Sequence, residues 1–217
     1  MIVGTSLRER LRLATADVHE RLHRHAGLAA VAAGTITRSD YSKLLGRLWG
    51  FHRAFEAVLA DPPAGLDFDP SDRARAGTLG ADLLALGMNP AAIEALPVCR
   101  YLHCPADAAG FMGALYVVEG STMGGAQLAR ALAPLFGGDG DSGRRFFMGY
   151  GARNGVMWRE FLGHLDRFGG DEGLEAAAVR GAVATFGDFE RWVDGWKDAD
   201  LETAGGARRD HRVSAPG

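Results

Sequence analysis

Apolar residues recur at three- and four-residue intervals through most of the chain, and no stretch alternates between hairpin turns. The pattern therefore predicts helices and loops without strands. Leu7, Leu11, Ala14, Val18 and Leu22 form one stripe behind Thr5 and Ser6, either of which suits an N-cap, and predict a first helix to about His25. A second starts between Thr37 and Asp40 and runs through Leu44, Leu45, Leu48, Phe51, Phe55 and Leu59 until DPPAGLDFDP ends it. Asp69-Pro70 opens a third, to about Leu86, and Asn89-Pro90 a short fourth. Pro105 to Glu119 is strongly apolar, meets Gly120, Gly124 and Gly125, and resumes from Leu128 to Leu135. After the loop GGDGDSG, helices are expected from Gly151 to Phe168 and from Asp171 to Lys197, the last with Ala182, Phe186, Phe189, Val193 and Trp196 on one side.

With 217 residues and 47% hydrophobic composition the chain supports one all-α domain, expected over residues 1–200. Beyond Leu201 the composition turns to Gly, Arg, Ala and Ser, and residues 201–217 read as a disordered tail. The 24 basic residues stand against 27 acidic ones, so no general polycation points to nucleic acid or anionic lipid. MIVGTSLRERLR becomes charged within its first ten residues, unlike a secretory signal. The longest apolar stretch, Ala108 to Val118, falls short of the roughly 18 residues of a membrane span, so no membrane association is expected and a cytoplasmic location is. Cys99 and Cys104, a lone C-x4-C pair, read as reduced thiols.

Two segments carry candidate chemistry. In LRERLRLATADVHERLH, His19 lies beside the apolar stripe, with Thr15 one turn and Arg12 two turns before it. Seven residues place Arg12 about 10 Å along the same face, a spacing that suits a macrocycle with a metal at its centre and acids at its edge. A half-buried, hydrogen-bonding histidine fits the same helix. In GALYVVEGSTMGGAQLAR, glycines 113, 120 and 124 fall near one helical face. Each costs a helix about 1 kcal/mol, and what they offer in exchange is close approach by something flat, either a second helix or a ligand plane. Glu119 reads as a buried capping or salt-bridging carboxylate. His25, His52, His103 and His164 share no ligand spacing with His19 and read as surface or core-edge residues.

Taken with FFMGYGARNGVMWREFLGHLD and AVATFGDFERWV, the segments LRLATADVHERLH and YVVEGSTMGGAQL resemble the bacterial branch of the biliverdin-producing heme oxygenases, from about Leu7 to Trp196. The resemblance implies a single-domain helical bundle with heme between the first helix and a glycine-kinked distal helix. It implies His19 as proximal iron ligand and Gly120 and Gly124 as the distal glycines, with Ser121 holding proton-supplying water. Arg12, Thr15 and Tyr116 would face the heme, and Tyr150 and Arg159 its propionates. The animal branch has a glutamate one turn after the ligand histidine, where this chain has His23, and an aspartate after the distal glycine, where it has Ser121.

The activity so implied opens heme to biliverdin with release of iron and carbon monoxide, using O2. No dinucleotide or flavin fingerprint is present, so electrons are expected from a separate ferredoxin or reductase. A bacterial phytochrome is one conceivable recipient of the biliverdin. Two other readings are a non-enzymatic heme- or bilin-binding protein, and a thiaminase-like hydrolase using Cys99 or Cys104.

Overall fold

The computed structural model describes residues 5–137 and 140–197, and all regular structure among them is helical. The expected boundary at residue 200 and the tail 201–217 lie outside the described residues. Ten α-helices follow in order: α1 Leu7–Ala14, α2 Ala16–Arg24, α3 Ala26–Ala32, α4 Arg38–Ala60, α5 Ala76–Ala85, α6 Pro90–Glu94, α7 Ala108–Ala131, α8 Arg145–Met148, α9 Asn154–Leu165 and α10 Glu172–Asp194.

Most boundaries follow capping chemistry. Thr37, Asn89, Asp107 and Asp171 each accept a backbone N–H three residues ahead, at the starts of α4, α6, α7 and α10. The expected first helix is interrupted at Thr15, whose hydroxyl donates to the Leu11 carbonyl at 2.7 Å. Backbone bonds from Thr15 to Leu11 and from His19 to Thr15 carry the chain across the break. α3 has no counterpart in the sequence reading: His25 caps it by accepting from the Leu28 amide, and Gly27 lies flat under Trp196. The expected third helix is a 3-10 turn at Pro70–Arg73 followed by α5. The expected interruption at Gly120 to Gly125 is absent, and α7 runs unbroken through all three glycines.

α7 and α10 form the centre. They cross where Gly110 faces Gly181 and Gly113 faces Ala178, so closely that a β-carbon on Gly113 would overlap the Ala178 carbonyl oxygen. Around this crossing Leu11, Phe55, Phe111, Met112, Leu115, Phe161 and Leu165 are fully buried. Each such side chain contributes about 1.5–3 kcal/mol by leaving water. A second cluster, built on Tyr41, Leu44, Leu45, Leu79 and Leu83, packs α4 against α5. His52 belongs to the interior rather than to the surface or core edge: it is buried against the Phe146 ring, and burial beside Arg75 lowers its pKa to about 3.

Candidate functional site

One stripe of α7 explains the glycine spacing. Gly110, Gly113, Tyr116, Gly120, Gly124 and Ala131 recur at helical intervals along it. α10 covers its beginning at Gly110 and Gly113. At its far end the Ala131 carbonyl meets Gly34, just beyond α3. Between these closures the stripe is bare. A β-carbon on Gly120 would find Trp158 Cη2 at 3.9 Å as its nearest neighbour, and one on Gly124 would meet nothing within 4 Å. The two uses open to these glycines, helix packing and approach by a flat ligand, thus fall on different parts of one stripe.

α1 and α2 both pack on α10, through the Arg10–Glu175 and Arg21–Glu190 ion pairs at 2.9 and 2.6 Å. α1 meets the stripe near Tyr116: Arg8 lies over the Trp158 ring, Trp158 packs on Tyr116, and the charges of Arg8 and Arg12 oppose the upward push of burial on the Tyr116 hydroxyl. The charges of α1 lie near Tyr116 and the end of α3 meets α7 near Ala131, so the bare stretch runs along the interval between these two helices, which α2 joins in the chain.

His19 stands on α2 within that interval. Its ring meets Phe186 of α10 edge-on at 6.4 Å and His23 at 4.5 Å, with 72° between the two imidazole planes. His19 is exposed in the ligand-free fold; the desolvation its neighbours still impose and the adjacent His23 lower its pKa, which favours the neutral imidazole that a metal ligand requires. No hydrogen bond joins His19 to His23 among the described residues.

The other sequence-predicted residues are distributed as follows. Arg12 is exposed and paired with Glu9 at 2.6 Å, at the Tyr116 end of the opening. Thr15 is buried, its hydroxyl committed to Leu11. Ser121 is exposed beside Gly120 and donates to the Val118 carbonyl at 2.6 Å, leaving its oxygen free to accept. Arg159 is exposed on α9, one position after Trp158. Tyr150 is half-buried and donates to Glu119 at 2.6 Å, on the side of α7 turned away from the stripe. Glu119 is the buried ion-pairing carboxylate expected, with Arg73 at 2.5 Å.

Sequence reasoning missed Trp158, Arg8 and Phe186 as parts of this surround. Their spacing marks them as ordinary helix residues, and only the packing of α1, α9 and α10 about α7 gathers them. The exposed Leu13 and Met123 had a readable signal, since each is a large apolar residue beside a candidate position.

Sequence comparison identifies the family. The model of the heme oxygenase family matches residues 5–195. The chain belongs to the heme oxygenase family. Three solved members share its fold. The heme oxygenase of Leptospira interrogans superposes with a TM-score of 0.73 at 16% identity, covering 87% of this chain and 98% of that one. The Neisseria meningitidis enzyme, solved with NO and CO bound, gives 0.67 at 23%, covering 92% and 96%. Heme oxygenase-1 of the cyanobacterium Synechocystis, in complex with heme, gives 0.68 at 17%, covering 89% and 93%. No curated protein matches the sequence. In this heme oxygenase family member no described helix is long and apolar enough to cross a membrane.

Proposed function

We propose that this chain binds heme between α2 and α7 and opens it oxidatively to biliverdin, releasing iron and carbon monoxide, with O2 and electrons from an external ferredoxin or reductase. The observation that carries the reading is the bare stretch of α7 at Gly120 and Gly124, lying along the interval that holds His19. It is a cradle that side chains would fill, paired with an imidazole whose pKa is lowered.

Bound there, heme would supply both the iron that reacts with O2 and the ring that is opened. His19 would hold the metal through a neutral nitrogen. Phe186, edge-on to that imidazole, restricts its rotation. Gly120 and Gly124, with open space beside them, would leave room for a planar ring. Ser121, its proton committed to Val118, presents an acceptor oxygen that orients water beside Gly120. Arg8 and Arg12 supply positive charge at the Tyr116 end, where a carboxylate edge of the ligand is stabilised. A cytoplasmic setting and delivery of biliverdin to a phytochrome accord with this reading.

One observation favours a second reading, a heme- or bilin-binding protein without turnover: His23 touches His19 by ring contact and supplies no negative charge to it. One experiment separates the two. Hemin is added to wild-type and His19→Ala protein, and absorption is followed as a ferredoxin or reductase system supplies electrons under air. The oxygenase reading expects a histidine-ligated band in the wild type that gives way to biliverdin absorption, and loss of that ligation in His19→Ala. A band that persists under reductant and air supports the binding protein instead. Wild-type-like ligation in His19→Ala overturns the iron site.

A further inference from the structure

Behind the bare stretch of α7 lies a buried polar cluster that heme contact does not account for. Glu119, adjacent to Gly120 and so about 100° round α7 from it, is fully buried. One carboxylate oxygen accepts from Arg73 Nη1 at 2.5 Å and the other from the Tyr150 hydroxyl at 2.6 Å. Arg73 also donates to the Met157 carbonyl at 3.2 Å, which ties the group to α9. Burial pushes the Glu119 carboxyl upward in pKa, and Tyr150 and Arg73 oppose it.

Stability alone does not explain such a cluster. Desolvating two charges costs about as much as their attraction returns, and apolar replacements of similar volume are often neutral or better. What hydrogen-bonded charges add is direction, because a carboxylate with two fixed donors accepts one arrangement of its helix. The stretch of α7 beside it needs such a constraint. It carries Gly120, Gly124 and Gly125, and the Ser121 and Thr122 hydroxyls donate to the Val118 and Glu119 carbonyls, which loosens a helix from within.

The same short segment grips α7 on both sides of the bare face. Tyr150 holds Glu119, and the Phe147 carbonyl sits so close to Gly125 that no β-carbon fits there. Six residues, about 9 Å of helix, separate the two grips. The gripping segment is itself pinned: Asp82 accepts the Arg145 and Phe146 amides at 3.0 and 2.8 Å, and Arg75 donates to the Phe146 carbonyl. Asn154 accepts the Tyr150 amide at 2.6 Å and donates to the Met148 carbonyl at 2.9 Å across Gly149, whose φ is +64°.

Resting on the proposed function above, we propose that Tyr150 and Arg73 are positioning residues, acting through Glu119 to set the path of α7 at Gly120 and so which bridging carbon of the macrocycle is opened. Tyr150 then works from behind α7 and not as a contact to a propionate. The test uses the full chain with Tyr150→Phe, which removes one hydroxyl, and Glu119→Gln as a second variant should the first fail to fold. Hydrogen exchange of residues 118–125 is measured in ligand-free protein, and the ratio of biliverdin isomers after turnover with hemin. The expected result is exchange about tenfold faster across this stretch, with unchanged exchange in α4, and an isomer ratio shifted from that of the wild type. Unchanged exchange overturns the proposal, and so does faster exchange with the wild-type ratio, which would make the cluster a plain anchor. If the wild type makes no biliverdin, the functional reading fails and the regiochemical role falls with it, while exchange still decides whether Tyr150 holds α7.

Discussion

Glycine is a poor helix residue for a stated reason, the backbone entropy it loses on folding, and at Gly124 nothing in the ligand-free fold repays that loss. Gly124→Ala is therefore expected to raise the stability of the ligand-free protein by about 0.5–1 kcal/mol in urea unfolding, and to weaken hemin binding in a spectral titration. Gly113→Ala tests the opposite case on the same stripe. Its β-carbon overlaps the Ala178 carbonyl, and the expected loss is about 1–3 kcal/mol as α7 and α10 are pushed apart. Equal effects at the two positions would contradict the division of the stripe into a packed part and a bare part. The spacing of these glycines was legible in the sequence, whereas their different uses were not, because only α10 crossing at Gly113 and diverging afterwards separates them.

The helices that were easiest to read are those whose caps and stripes agree. For α7 the cap is Asp107, which accepts the Gly110 amide at 2.8 Å. Asp107→Ala is expected to cost about 1 kcal/mol in denaturant unfolding while leaving the hemin spectrum as in the wild type, since the cap lies at the end of α7 away from Gly120. The differences arise where local pattern is weak. At the break the buried position shifts from Ala14, which is exposed, to Thr15, a change that apolar periodicity cannot mark because Thr15 is polar. α3 is seven residues of mostly Ala and Gly without a stripe, held by His25 and by Trp196 from the far end of the chain. α7 stays helical through its glycines, with the Phe147 carbonyl against Gly125 and with Tyr150 and Arg73 on Glu119 from outside the helix.

His52 illustrates what the whole molecule imposes. A neutral imidazole enclosed by α4 and α8 titrates at about 3, against an ordinary value of 6.5 in the unfolded chain. Between those values the unfolded state binds the extra proton, so stability falls as pH drops through this window, by about 1.4 kcal/mol per pH unit from this group. His52→Phe is expected to flatten the dependence of unfolding free energy on pH between 6.5 and about 3. An unchanged slope would remove His52 as its source. The sequence marked this histidine as sharing no spacing with His19 and as a surface or core-edge residue. Its burial depends on Phe146 arriving from nearly a hundred residues away.

The sequence by itself determined the helical class, most of the helix starts, the placing of His19 beside an apolar stripe and the glycine periodicity of α7. Each of these rests on local chemistry: side-chain caps, the 3.6-residue repeat and the backbone freedom of glycine. Tertiary structure alone decided that the α7 stripe is covered at Gly113 and bare at Gly124, that Trp158, Arg8 and Phe186 surround the opening, and that Tyr150 reaches Glu119 behind it. Those outcomes depend on how helices cross and on where buried charges find partners. Such contacts join residues 31 to 169 positions apart, a separation over which no local pattern carries information.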